Sequence, residues 1–186
     1  MVSYDRQDSS YLYYALCEMS VLQKLLALLT LRSAPQDLPY SPSLMVQLAV
    51  VYVVSGIMIL QTTVSSGDSL AGILLGLVVQ FVFTYFVLRA LDKSSRFIQT
   101  FSAMLGVSIL FSLLSWPIFV LFADESTDDS FKASMSLVFL LIISWEVLVK
   151  AHIFRHALEM KMFGALALSL SLFFISVAMS QLIFPV

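Results

Sequence analysis

Asparagine is absent from this 186-residue chain and cysteine occurs once, as Cys17. Without Asn there is no acceptor for N-linked glycosylation, and a single thiol can form neither an internal disulfide nor a Cys-based metal cluster. Charge is scarce as well: Asp, Glu, Lys and Arg make up 12% of the residues and the formal net charge is −2. No general attraction to nucleic acid follows from such a balance. The chain contains no phosphate-cradling glycine loop, no GxSxG elbow, no Ser-His-Asp set in a plausible setting and no pair of aspartates inside an apolar run. These absences point to a non-enzymatic protein without a cofactor.

What the chain has in quantity is apolar sequence, at 60% of its residues. A bilayer core about 30 Å thick is crossed by roughly 20 mainly apolar helical residues. Five runs meet that length: 44–62, 69–91, 97–122, 133–151 and 162–184. They are continuous rather than alternating, which predicts helices and not the strands of a barrel. The expected fold is all-α, a polytopic transmembrane bundle over 44–186 with short connections and no room for a sizeable soluble domain.

Nine of the ten Lys and Arg residues fall on one side of the alternation that the five runs define. Arg6, Lys24, Arg32, Arg89, Lys93, Arg96, Lys150, Arg155 and Lys161 share that side, and Lys132 is opposite, in a loop with Asp124, Glu125, Asp128 and Asp129. The positive-inside rule then predicts a cytoplasmic N-terminus and an external C-terminus. No cleavable signal peptide is expected, because Asp5 and Asp8 stand where a basic region belongs. The acidic loop reads as solvated rather than as a calcium site, since D-E-S-T-D-D lacks the spaced ligands and the glycine of such a loop.

Ahead of the first span, residues 1–43 form an arm. Ser9 or Ser10 can cap a helix over about 10–31, and Pro35, Pro39 and Pro42 forbid its continuation through the elbow at 35–42. Glu18 and Lys24 each cost about 2.5–3.5 kcal/mol on the insertion scale. The helix is therefore read as lying in the cytoplasmic interface or docked on the bundle, with a sixth span as the alternative.

Six features stand out along the chain. Glu146 is a carboxylate within the fourth run, a functional hypothesis by default, but Lys150 at i+4 offers a partner and the run ends about one turn later. His152, Arg155, His156 and Glu159 recur at helical spacing, so the fourth helix is expected to extend into the cytoplasm with His152 and His156 one turn apart; HIFRH lacks the acidic residue of H-E-x-x-H and has no third ligand nearby, so no metal is expected. Gly72 and Gly76 form a GxxxG suited to close helix packing. Trp116-Pro117 is expected to kink or end the third span, and the serines of the last span to bond back to helix carbonyls. Arg89, Lys93, Arg96, Arg155 and Lys161 are candidate contacts for lipid phosphates or acidic partners.

An arm followed by five closely spaced spans resembles the Yip family of Rab-interacting membrane proteins. Asp37-Leu38-Pro39-Tyr40-Ser41-Pro42 is similar to that family's D-L-Y-G-P element, although it lacks the Gly and carries an extra Pro. The family's Gly-Tyr pair in the third span is replaced by Gly106-Val107. The resemblance implies a trafficking or membrane-organising role without catalysis. The expected function is an assembly or scaffold subunit of a bacterial inner membrane, contacting lipids, other membrane proteins or further copies of itself. The rival is a transporter or channel component in which Glu146, assisted by His152, binds a proton or cation.

Overall fold

The computed structural model describes residues 21–63, 69–124, 126 and 128–183. Five long helices run through it: α1 (Pro42–Thr63), α2 (Ser69–Ala90), α3 (Phe97–Ala123), α4 (Asp129–Leu158) and α5 (Met162–Ile183). All five are long and apolar enough to cross a membrane, and no strand occurs among the described residues. The chain is an all-α integral membrane protein. Residues 21–29 form a further helical segment ahead of the elbow, while residues 10–20 of the expected arm helix, its capping serines and the loop at 64–68 lie outside the described residues.

The helix ends show where hydropathy misjudged length. Pro42 opens α1 two positions before the apolar run, because a first-turn proline gives up an N–H that has no helical partner anyway, and the Ser41 hydroxyl accepts from the Leu44 amide at 3.3 Å. Helix α4 is longer than its apolar core at both ends, taking in Asp129 and Lys132 before it and Arg155 and His156 after it. Polar residues end a hydrophobic run but not a helix, whose hydrogen bonds are internal. Pro117 does not end α3 either; the helix continues to Ala123.

Three helices stop in the same way. Leu31, Asp92 and Glu159 adopt φ of 59°, 55° and 55°, and the next amide reaches back to the carbonyls of Ala27, Leu88 and Arg155 at 2.9, 2.8 and 3.2 Å. This left-handed cap satisfies carbonyls that the helix end would orphan, and it is formed here without glycine.

In the bundle α1 packs on α3, α3 on α4, α4 on α5, and α5 through α2 back to α1, with α3 also touching α2. Helix α3 is the most enclosed, buried without interruption from Thr100 to Ile109. The segment 21–29 packs against this core, with Leu25 and Leu28 buried among Ala103, Met104, Val107, Val149 and Ile153. Gly106 admits it: a Cβ there would stand 2.4 Å from Leu25 Cδ2 and 2.7 Å from Cδ1.

Gly106→Ala should therefore strain the Leu25 contact by about 1–3 kcal/mol, partly offset by the better helix propensity of Ala. In a Leu25→Ala background the strain should vanish. Thermal unfolding of both single variants and the double variant in nanodiscs measures the coupling, and additive effects would rule this contact out.

Candidate functional site

Two polar assemblies stand out against the apolar bundle. The first braces the end that holds most of the cations. The turn between α2 and α3 faces the turn between α4 and α5, and Glu159 joins them: its carboxylate accepts from Lys93 Nζ at 2.7 Å and from Arg96 Nη2 at 2.5 Å. Arg96 Nη1 also donates to the carbonyls of Ala157 and His156 at 3.1 and 3.4 Å, placing a cation at the negative end of the α4 dipole.

The elbow is tied to the same end. Gln99 Nε2 donates to the carbonyls of Gln36 and Leu38 at 3.2 and 2.8 Å, and Gln36 Nε2 to that of His156 at 3.0 Å; further along α4, Trp145 Nε1 donates to the Leu29 carbonyl of the helical segment 21–29 at 3.1 Å. His152 Nε2 donates to the Ser33 carbonyl at 3.0 Å, and His156 Nδ1 to the His152 carbonyl at 2.9 Å. The two imidazoles, 4.2 Å apart between centroids, thus spend a nitrogen each on the backbone. No cluster of three His, Cys, Asp or Glu residues that could hold a metal exists among the described residues.

The five cations singled out in the sequence divide into two sets. Lys93 and Arg96 are half-buried and committed to Glu159, whereas Arg89, Arg155 and Lys161 are exposed. Arg89 lies on α2 over the Tyr85 ring and donates to its hydroxyl at 2.9 Å. At the opposite end, Asp124 accepts from the Ser126 hydroxyl and amide at 2.7 and 2.9 Å, and Asp128 accepts from the Ser130 hydroxyl. Those serines hold both carboxyls below the usual aspartate range.

The second assembly lies deep in the bundle. Lys150 Nζ is 2.7 Å from Glu146 Oε1, with the two side chains 16% and 25% exposed. The Ser108 hydroxyl on α3 lies 3.4 Å from the same carboxylate oxygen and 3.5 Å from Oε1 of Gln80 on α2. At 1.5 Å per helical residue, Gln80 is about 15 Å from the Ala90 end of α2, Ser108 about 16 Å from Phe97, and Glu146 about 18 Å from Leu158. The three levels agree. Glu146 stands about three turns before the Leu158 end of α4, because the helix continues past the apolar run through Arg155 and His156.

Glu146 and His152 use different surroundings: Glu146 engages α3 and Lys150, whereas His152 bonds to the elbow. In the GxxxG pair, Gly76 abuts the Tyr52 hydroxyl on α1, 3.3 Å from where a Cβ would stand, and Gly72 has no atom within 4 Å of that position. The tighter approach is at Gly106. Gln80 was not singled out in the sequence, although it was visible as an amide inside an uninterrupted apolar run.

These features define the class: a polytopic α-helical membrane protein with one braced basic end and a neutralised ion pair in its interior. Comparison with protein-family models, with curated proteins and with solved structures returned no match.

The Glu159 clamp has a pH signature. Hydrogen bonds from Lys93 and then Arg96, with their charges, hold its carboxyl below the ordinary glutamate range. A lowered folded value means that its contribution is complete at neutral pH. The contribution declines as pH falls below the ordinary value and is gone below the folded one. Thermal unfolding of Glu159→Gln against the unaltered protein should show a difference at neutral pH that closes on acidification; a gap independent of pH would exclude the clamp.

Proposed function

We propose that this integral membrane protein is a non-enzymatic assembly or membrane-organising subunit that presents its basic end to anionic lipid headgroups or to acidic partner proteins. The observation that supports the reading is the rigid framing of that end. The elbow and two turns are cross-braced by charged and amide side chains, while Arg89, Arg155 and Lys161 remain exposed around the brace. A fixed frame reduces the ordering cost of recruiting a headgroup or a partner. Among the described residues, none of these three cations takes part in an ion pair.

By the positive-inside rule the basic end faces the cytoplasm and the C-terminus lies outside, in a bacterial inner membrane. Short connections favour work through membrane partners or a second copy of the chain over an enzymatic role. The similarity of Asp37–Pro42 to the Yip-family element is in keeping with membrane organisation.

The competing transport reading rests on the position of Glu146 at mid-bundle. Lys150 opposes a cation there, because its ammonium already holds the carboxylate at 2.7 Å. An incoming cation would have to displace it in a poorly screened setting.

Replacing Arg89, Arg155 and Lys161 together with Gln should reduce the anionic phospholipid retained on the purified protein while leaving its unfolding temperature nearly unchanged. Replacing Lys93 and Arg96 should instead lower that temperature. Native mass spectrometry of retained lipids and of co-purifying proteins checks this, and unchanged retention in the triple variant would defeat the proposal.

A further inference from the structure

Helices α1 and α2 approach closely at one level and leave room between them at another. A Cβ on Gly56 of α1 would stand 3.0 Å from Ile73 Cδ1 of α2, and one on Gly76 of α2 would stand 3.3 Å from the Tyr52 hydroxyl of α1. From about that level toward the basic end, a groove of about 490 Å³ lies between the two helices. Met45, Val50 and Val54 line it from α1, Val78 and Phe81 from α2, and Phe101 from α3; every lining residue is apolar. The volume falls within the roughly 300–1,000 Å³ of ordinary ligand sites.

The groove leads toward a cation. Phe81, Tyr85 and Arg89 stand at i, i+4 and i+8 along α2 and so share one face of the helix. Phe81 packs edge-on against Phe97 and Phe101 at 5.1 and 5.2 Å, Phe97 stacks on Phe101 at 5.5 Å, and Tyr85 meets Phe97 at 5.7 Å. The aromatic wall of the groove therefore continues to Tyr85, whose ring carries the Arg89 guanidinium 5.9 Å above its centroid and whose hydroxyl accepts from Arg89 Nη1 at 2.9 Å. Arg89 lies about 12 Å beyond Phe81 along the helix axis. It is exposed and takes part in no ion pair among the described residues.

An apolar channel ending below a cation has the two parts of a phospholipid in their own order. Lipid tails are as apolar as these walls, so the groove supplies shape and dispersion contact, and the choice between lipids falls to the charge beyond its end. Length separates a lipid from a second copy of the chain. Met45 to Val54 covers about 14 Å of α1, close to the ~15 Å of one leaflet in a core about 30 Å thick. A spanning helix from a second copy is about twice that length and would run past the groove to where Gly56 and Gly76 bring α1 and α2 together. We propose that the groove holds one acyl chain of an anionic phospholipid whose phosphate is bound by Arg89. The proposal rests on the reading of the basic end as a surface for anionic headgroups and assigns that surface one site and one ligand class.

The test uses the full-length protein in detergent, titrated with phosphatidylglycerol or with phosphatidylcholine of the same chains and read by native mass spectrometry as the fraction carrying one lipid. Phosphatidylglycerol should bind about fivefold more tightly, the worth of one arginine at an anionic surface, and Arg89→Gln should abolish that preference. Val46 and Val50 line the groove and are 56% and 57% exposed, so Val46→Trp and Val50→Trp fill it without disturbing the core or the cation. Each should weaken binding of both lipids roughly tenfold, while Val51→Trp, on α1 outside the groove, should not. Variants that keep the unaltered unfolding temperature are the ones to be read. Undiminished binding by both groove variants, or an equal loss in Val51→Trp, overturns the groove even if Arg89→Gln shows the basic end to be selective. No preference for phosphatidylglycerol in the unaltered protein overturns both the groove and the reading it rests on. A groove variant that converts a dimer to a monomer makes the occupant a second copy and overturns the proposal as well.

Discussion

A bilayer interior supplies no hydrogen-bond partners, and the helical form of all five spans follows from that constraint. Backbone groups are satisfied by making every span a helix. Among the described residues, polar side chains gather in two assemblies: at the basic end, where two turns and the elbow meet, and at mid-bundle, where Glu146, Lys150, Ser108 and Gln80 converge. Helix α3 contributes to both. Gln99 holds the elbow near its start, and Ser108 reaches the ion pair further along. Its continuous burial is the packing counterpart of that role.

Close approach makes the two assemblies compatible. Gly106 lets Leu25 and its helical segment reach the core beside α3 and α4, and the chain then returns through the Leu31 cap and the elbow to begin α1. The elbow carbonyls of Ser33, Gln36 and Leu38 are exposed to pairing by that path, and His152 and Gln99 supply the donors. Two of the five candidate contact cations, Lys93 and Arg96, are consumed in this bracing. Arg89, Arg155 and Lys161 lie exposed outside the brace.

Hydropathy was enough to read the five helices because each is apolar over nearly its whole length. The apolar run of the fourth span is shorter than α4 because Asp129, Lys132, Arg155 and His156 break the run without breaking the helix, and the extension at the far end is legible in the helical spacing of His152, Arg155 and His156. The GxxxG spacing drew attention to Gly72 and Gly76, whereas the tightest contact belongs to Gly106, whose partner is some eighty residues away in sequence. No local spacing encodes such a contact. Gln80 was missed for a similar reason: a lone amide in an apolar helix gains meaning only when a neighbouring helix leaves it without a partner.

The central claim is that an ion pair is held inside the bundle and neutralises its own surroundings. A double-mutant cycle of Glu146→Gln and Lys150→Gln, read by unfolding in nanodiscs, addresses it most directly. Removing either partner strands the other charge in a poorly solvated place, so each single change should destabilise by more than the double change implies. The expected coupling is about 1–3 kcal/mol after allowing for partial exposure. Additive effects would mean that the two charges are separately solvated, and the account of a neutralised interior site would then be wrong.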